Sequence, residues 1–89
     1  MNCNKTIENN KINVELFIIE VENAKNCLAK CLNIEKVEIK EIADEEILVA
    51  LNGRKKTLCR RKIFDFGQGT LDCYLSKNNK FIEIFHHPN

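Results

Sequence analysis

Glycine and proline are scarce in this 89-residue chain, which has 3 Gly and 1 Pro, so long disordered linkers are not expected. No apolar run approaches the ~20 residues that a membrane-spanning helix needs. The polar, Asn-rich start of the chain also lacks the apolar stretch of a secretory signal. These absences predict a single cytoplasmic domain that does not associate with a membrane.

The formal charge is close to balanced, at +1, although 30% of the residues are charged. This balance argues against general electrostatic binding to nucleic acid, while leaving room for a local basic patch. The five cysteines are an odd number, which fits poorly with a closed disulfide framework. Reduced thiols are therefore expected.

Motifs for catalysis and metal binding are also lacking. There is no serine elbow, no phosphate-binding glycine loop and no zinc-protease motif. The metal-ligand candidates are scattered and contain no Cys-x-x-Cys pair; they are Cys27, Cys31, Cys59, Cys73, His86 and His87. Core thiols are the favoured interpretation, with Cys31 and Cys73 on apolar faces. Cys73 and His86 share a face by parity, but no third group orients them. No enzymatic activity, cofactor or metal is predicted.

The first regular element is an amphipathic helix over residues 14–32, with Asn13 as its N-cap. Its apolar stripe has helical spacing and consists of Val14, Phe17, Ile18, Val21, Ala24, Leu28, Cys31 and Leu32. Short β-like runs follow, beginning near Val37 and Ile39, and no crossover helix separates them. The sequence predicts an α+β domain at 13–89, with this N-terminal helix on one face of a roughly five-stranded antiparallel meander. Residues 1–12 are expected to form a flexible tail.

Three two-residue turn signals set the expected strand register: Asn52-Gly53, Gln68-Gly69 and Asn78-Asn79. The last two place apolar residues opposite apolar residues. The face predicted to lie under the helix consists of Phe64, Phe66, Leu71, Cys73, Leu75, Ile82 and Ile84.

The opposite face carries an apolar and aromatic group that nothing but the N-terminal tail is expected to cover. The candidate partner-binding residues on it are Ile63, Tyr74, Phe81, Glu83 and Phe85. Self-association and burial under the tail are the alternatives. In this register Asp65 faces Asp72, an unfavourable pair that a longer loop would remove.

The first hairpin separates its charges. Residues 35–46 have a net charge of −4, and residues 54–62 have a net charge of +6. The Asn52-Gly53 register sets Glu45 against Arg60, and a bulge is expected near residues 60–62, where basic side chains would otherwise point to the core. The candidate polyanion-binding residues are Arg54, Lys55, Lys56, Arg60, Arg61 and Lys62.

The functional hypothesis is a non-catalytic protein-binding module that acts through an exposed sheet face and an edge strand, taken to be the last one. Inhibitors, antitoxins, immunity factors and phage or mobile-element effectors share this size and class. The alternative is nucleic-acid or phosphate binding through the basic hairpin 54–62. Another protein is the expected partner, and a homodimer is the alternative to it.

Overall fold

The computed structural model describes residues 5–7, 13–78 and 80–89. Helix α1 spans Val14–Leu32, as predicted. Its first turn is capped by Asn13, whose side-chain oxygen accepts a hydrogen bond of 2.8 Å from the backbone N–H of Leu16. Asn33, in the left-handed conformation with φ 54°, ends the helix.

The sheet is antiparallel and contains β1 (Lys5–Ile7), β2 (Lys40–Val49), β3 (Thr57–Asp65), β4 (Gly69–Ser76) and β5 (Ile82–Pro88). Its strand order is β1-β5-β4-β3-β2. The α+β class, with one helix on an antiparallel meander, is confirmed.

The number of meander strands is four, not about five. The strand expected near Val37 and Ile39 is instead a 3-10 helix, Lys36–Glu38, whose ends are joined by reciprocal hydrogen bonds of Glu35 and Glu38. A short strand at the other edge, β1, pairs with Ile82–Ile84 of β5. It belongs to the segment predicted as a tail, the remainder of which lies outside the described residues.

The inner core lies between α1 and the sheet, where the helix packs against β4 and β5. All seven residues predicted for this face are buried in it, together with Phe17, Val21, Ala24 and Leu28 of the helix. The β4–β5 register is the predicted one, with Leu75 opposite Ile82 and Cys73 opposite Ile84. Asn79 itself is not among the described residues.

The predicted helix stripe is buried only in part. Val14 and Ile18 are exposed hydrophobic residues, and Cys31 is exposed as well, so its assignment to the core is wrong. A helix about 10 Å wide covers only about two strands that lie 4.8 Å apart. Helix α1 packs on β4, β5 and the Phe64 end of β3, where Lys25 lies 4.8 Å from the centre of the Phe64 ring. The same face of β2 and of the rest of β3 is left less covered.

The β3–β4 turn comes one residue earlier than predicted, with Gly67 and Gln68 at its tip. The backbone N–H of Phe66 donates to the carbonyl of Gly69 at 3.2 Å. Asp65 therefore lies opposite Thr70, and the unfavourable Asp65–Asp72 pair does not form; the earlier turn removes it, and not the longer loop that was favoured. The register moves by two residues in total, which leaves every side chain on its predicted face.

The register of the first hairpin differs from the predicted register by one residue. Asn52 and Gly53 form the expected turn, with φ 50° and 76° and an Arg54 N–H to Leu51 carbonyl bond of 2.9 Å. Two residues separate Asn52 from the end of β2, but three residues separate Gly53 from the start of β3. Val49 therefore pairs with Thr57, and the predicted Glu45–Arg60 pair is wrong.

The predicted bulge in β3 is also wrong. The ladder irregularity lies in β2, between Glu41 and Ala43. Strand β3 alternates without a break, so Arg60 and Lys62 do point to the helix side, next to the part of the sheet that α1 leaves uncovered. Both are half-buried, as expected of long side chains whose charged ends reach water.

Candidate functional site

The face expected to be exposed is largely buried, so that expectation is wrong. Tyr74, Phe81 and Glu83 are buried, and Ile63 and Phe85 are half-buried. The β2–β3 loop folds over this face and places Leu51 on it. The resulting outer cluster contains Leu51, Cys59, Tyr74 and Phe81, with Ile47, Val49 and Phe85 packed against it.

Glu83 holds the loop in this position. It is fully buried at 0% exposure, and its carboxylate accepts a 2.5 Å hydrogen bond from the Asn52 side-chain amide. A guanidinium nitrogen of Arg54 lies 3.8 Å from the same carboxylate, and the guanidinium stacks 4.6 Å from the centre of the Phe81 ring. The predicted partner-binding residue Glu83 thus binds the loop of its own chain.

The far end of the outer face is less covered. The ring of Phe85 contacts Tyr74 edge-on, at 5.8 Å between centroids, and stacks on His87 at 6.1 Å. His87 lies 3.6 Å from a carboxylate oxygen of Asp72. These contacts hold the last residues of β5 against β4. Over Ile82–Ile84, β5 is not the edge strand that was predicted, because β1 pairs with it there.

The basic residues of 54–62 are mostly engaged by acidic residues of the same chain. Arg60 makes a two-point contact with Asp44, at 3.0 and 2.9 Å. Arg61 binds Glu45, and Lys62 lies 3.2 Å from Glu41. Besides these, Arg54 contacts Glu83. Lys55 and Lys56 are exposed, and no ion pair is seen for them among the described residues.

These ion pairs form a ladder between β2 and β3. A hydrogen bond from Arg60 holds the pKa of the Asp44 carboxyl below its usual range, and the same bond raises the pKa of Arg60. Hydrogen bonds to Glu45 and Tyr74 raise the pKa of Arg61. The ladder is extended by Lys77, the residue that follows β4, which lies 3.0 Å from Glu46.

The outermost strand, β2, is the most open part of the sheet. It is ten residues long and pairs on one side with β3. Within the described residues no strand pairs with its other side, which we call the free edge of β2. By contrast, the strand at the opposite edge, β1, has only three residues.

Strand β2 carries exposed apolar residues on either side of an acidic centre. Ile42 is 59% exposed and Leu48 is 63% exposed, and Asp44, Glu45 and Glu46 lie between them. On β3, Leu58 faces Leu48 and is 41% exposed. Large apolar side chains at a strand edge are unusual, because natural proteins generally protect such edges. The sequence showed the charge separation, but it gave no sign that β2 would be the outermost strand.

The candidate metal ligands are not brought together. Cys59 lies in the outer cluster, Cys73 lies in the inner core, and Cys27 and Cys31 lie on the helix. His86 packs against Phe66, at 5.3 Å between ring centroids. In the part of the chain that the structure describes, no three His, Cys, Asp or Glu residues are grouped as a metal site would require.

Of the helices described, none has the length and apolar character needed to cross a bilayer.

The candidate functional surface is the free edge of β2, with the apolar residues beside it. Comparison of the chain with protein-family models, curated proteins and solved structures found no match.

Proposed function

We propose that this domain is a non-catalytic protein-binding module that takes up an extended segment of another protein along the free edge of β2. In this mode a partner strand forms main-chain hydrogen bonds with an exposed sheet edge, and its side chains contact those of the edge strand. Small inhibitors, antitoxins, immunity factors and phage effectors are the classes of protein in which we expect such a module.

The observation that carries the proposal is the length and composition of the free edge. Strand β2 is ten residues long, and the backbone groups of its alternate residues point to a side that no described strand occupies. Ile42 and Leu48 stand beside these groups and are more than half exposed. An added strand would bury apolar surface and form main-chain hydrogen bonds at the same time.

The outer face does not support the same function, because the loop of the chain itself already occupies it. The basic hairpin supports polyanion binding less well than expected, because Arg60, Arg61 and Lys62 each contact a carboxylate of β2. These two arrangements are why we place the binding surface at β2.

A displayed library of nine-residue peptides tests the proposal. Binders selected against the wild-type protein should bind the Ile42→Lys and Leu48→Lys variants much more weakly. The matched control is Ile19→Lys, which changes a residue of similar exposure, 54%, on the helix. Selected peptides that bind all of these variants equally, or a library that yields no binder, would refute the proposal.

A further inference from the structure

We infer that the segment bound at the free edge of β2 is basic, with two or three Lys or Arg residues between apolar ones. This inference depends on the proposed function and adds the chemistry of the partner. Strand β3 already pairs with the other side of β2, and its sequence indicates which residue types a second neighbour of β2 would carry.

The two sides of an edge strand present the same side chains. Successive residues of a strand point to opposite faces of the sheet, so a neighbour on either side meets the same two rows. On its paired side, β2 places Glu46 opposite Arg60, Glu45 opposite Arg61 and Asp44 opposite Lys62. Leu48 lies opposite Leu58 at the end of this series. A strand on the free edge would meet the same acidic centre and the same leucine.

The charge of β2 favours such a neighbour. The strand has one lysine and four acidic residues, a net charge of −3, and each of the four already contacts a basic side chain of β3 or Lys77. Its acidic side chains are still accessible: Asp44 is 33% exposed, Glu45 41% and Glu46 54%. Cross-strand pairs of opposite charge are stabilising, and like charges directly opposite each other are destabilising. A basic strand would place the acidic row of β2 between two basic rows.

The same argument disfavours a second copy of this chain at the free edge. In an antiparallel pairing of two β2 strands about their centres, Asp44 of one copy would face Glu45 of the other. The acidic centre would then lie against itself. The protein alone is therefore expected to be a monomer at micromolar concentration.

Three peptides of nine residues test the inference. The first has the sequence of β3, residues 57–65, with serine in place of Cys59. The second has threonine in place of the three basic residues, and the third has glutamate in place of them. Calorimetry at low salt should show the first peptide binding about tenfold more tightly than the second, and no binding of the third.

Salt and a variant protein provide independent checks. The preference for the basic peptide should shrink at about 0.5 M salt, because exposed charges are then screened. It should also be lost in the triple variant Asp44→Asn, Glu45→Gln, Glu46→Gln, provided that circular dichroism shows a folded protein. If this variant does not fold, the peptide comparison on the wild type decides.

The outcomes separate this inference from the proposed function. Equal binding of the basic and neutral peptides would refute the basic partner and leave strand addition at β2 intact. If none of the three peptides binds, while the selected library binders do, the inference alone fails. Failure of both sets would refute the two proposals together. A stable dimer of the wild-type protein in sedimentation that Ile42→Lys and Leu48→Lys disrupt would also overturn the inference, because it would assign the edge to a second copy.

Discussion

Asn52 and Glu83, 31 positions apart in the sequence, are joined by a hydrogen bond from the side-chain amide to the buried carboxylate. This bond connects the tip of the β2–β3 loop to the start of β5. It explains why a loop that contains a regular two-residue turn leaves the plane of its hairpin and lies on the sheet.

Replacing Glu83 with glutamine should loosen this loop. Hydrogen bonds to charged groups contribute roughly 1.5–3 kcal/mol, and a comparable loss in the free energy of unfolding is expected. Trypsin should cleave after the exposed residues Lys55 and Lys56 faster than in the wild type. The control is Glu45→Gln, which removes an exposed ion pair and should leave the cleavage rate nearly unchanged. Equal cleavage of Glu83→Gln and wild type would show that the carboxylate does not hold the loop.

Ile84 tests the inner core. It is 1% exposed and lies opposite Cys73. The Ile84→Ala substitution should lower the free energy of unfolding by about 2–5 kcal/mol, measured by urea denaturation. Ile19→Ala, at an exposed helix position, should change it by less than about 0.5 kcal/mol. Similar small losses at both positions would contradict the assignment of the two sheet faces.

Asp44 should make a small pH-dependent contribution to stability. Its pKa is lowered in the folded protein by the hydrogen bond from Arg60, while an unfolded aspartate has a pKa of about 3.9. Its stabilising contribution is therefore complete above that value and is lost as the pH falls through the lowered folded pKa. The free energy of unfolding, measured by urea denaturation, should be higher for wild type than for Asp44→Asn by at most about 1 kcal/mol at pH 7. This difference should vanish in strong acid. A difference independent of pH would exclude this ionic contribution.

Gly69 should tolerate a side chain less well than Gly67. A Cβ atom at Gly69 would lie 2.2 Å from the carbonyl oxygen of His87, so β5 would have to move. At Gly67, with φ +87°, a Cβ would meet no atom within 4 Å, and the cost would come from the backbone conformation alone. Thermal unfolding should show that Gly69→Ala lowers the free energy of unfolding by more than about 1 kcal/mol. The loss should be larger than that caused by Gly67→Ala. The reverse order would mean that β5 does not approach β4 as closely as described.

The sequence predicted the helix and the inner face well because these depend on local signals and on parity. The cap at Asn13 and the left-handed Asn33 bound the helix. An error of two residues in the register after Phe66 moved no side chain to the other face.

The prediction that the outer face is exposed was wrong because its covering does not depend on local signals. The loop has one residue more between Gly53 and β3 than between β2 and Asn52, and no local sequence pattern indicates that difference. Nor does the sequence show that Asn52 and Arg54 would reach a carboxylate on β5. Contacts between residues distant along the chain decided both the covering of this face and the position of β2 at the edge.

The sheet separates two apolar layers, and each contains one cysteine that is 0% exposed: Cys59 in the outer cluster and Cys73 in the inner core. Burial raises the pKa of the Cys59 thiol, which slows its reaction further, because the thiolate is the reactive form. Each thiol can be alkylated only when its own layer opens. Labelling followed by peptide mass analysis would therefore give two separate opening rates from one molecule. If the β2–β3 loop lifts without unfolding the rest, Cys59 will be labelled first, while Cys73 will follow only the global unfolding rate.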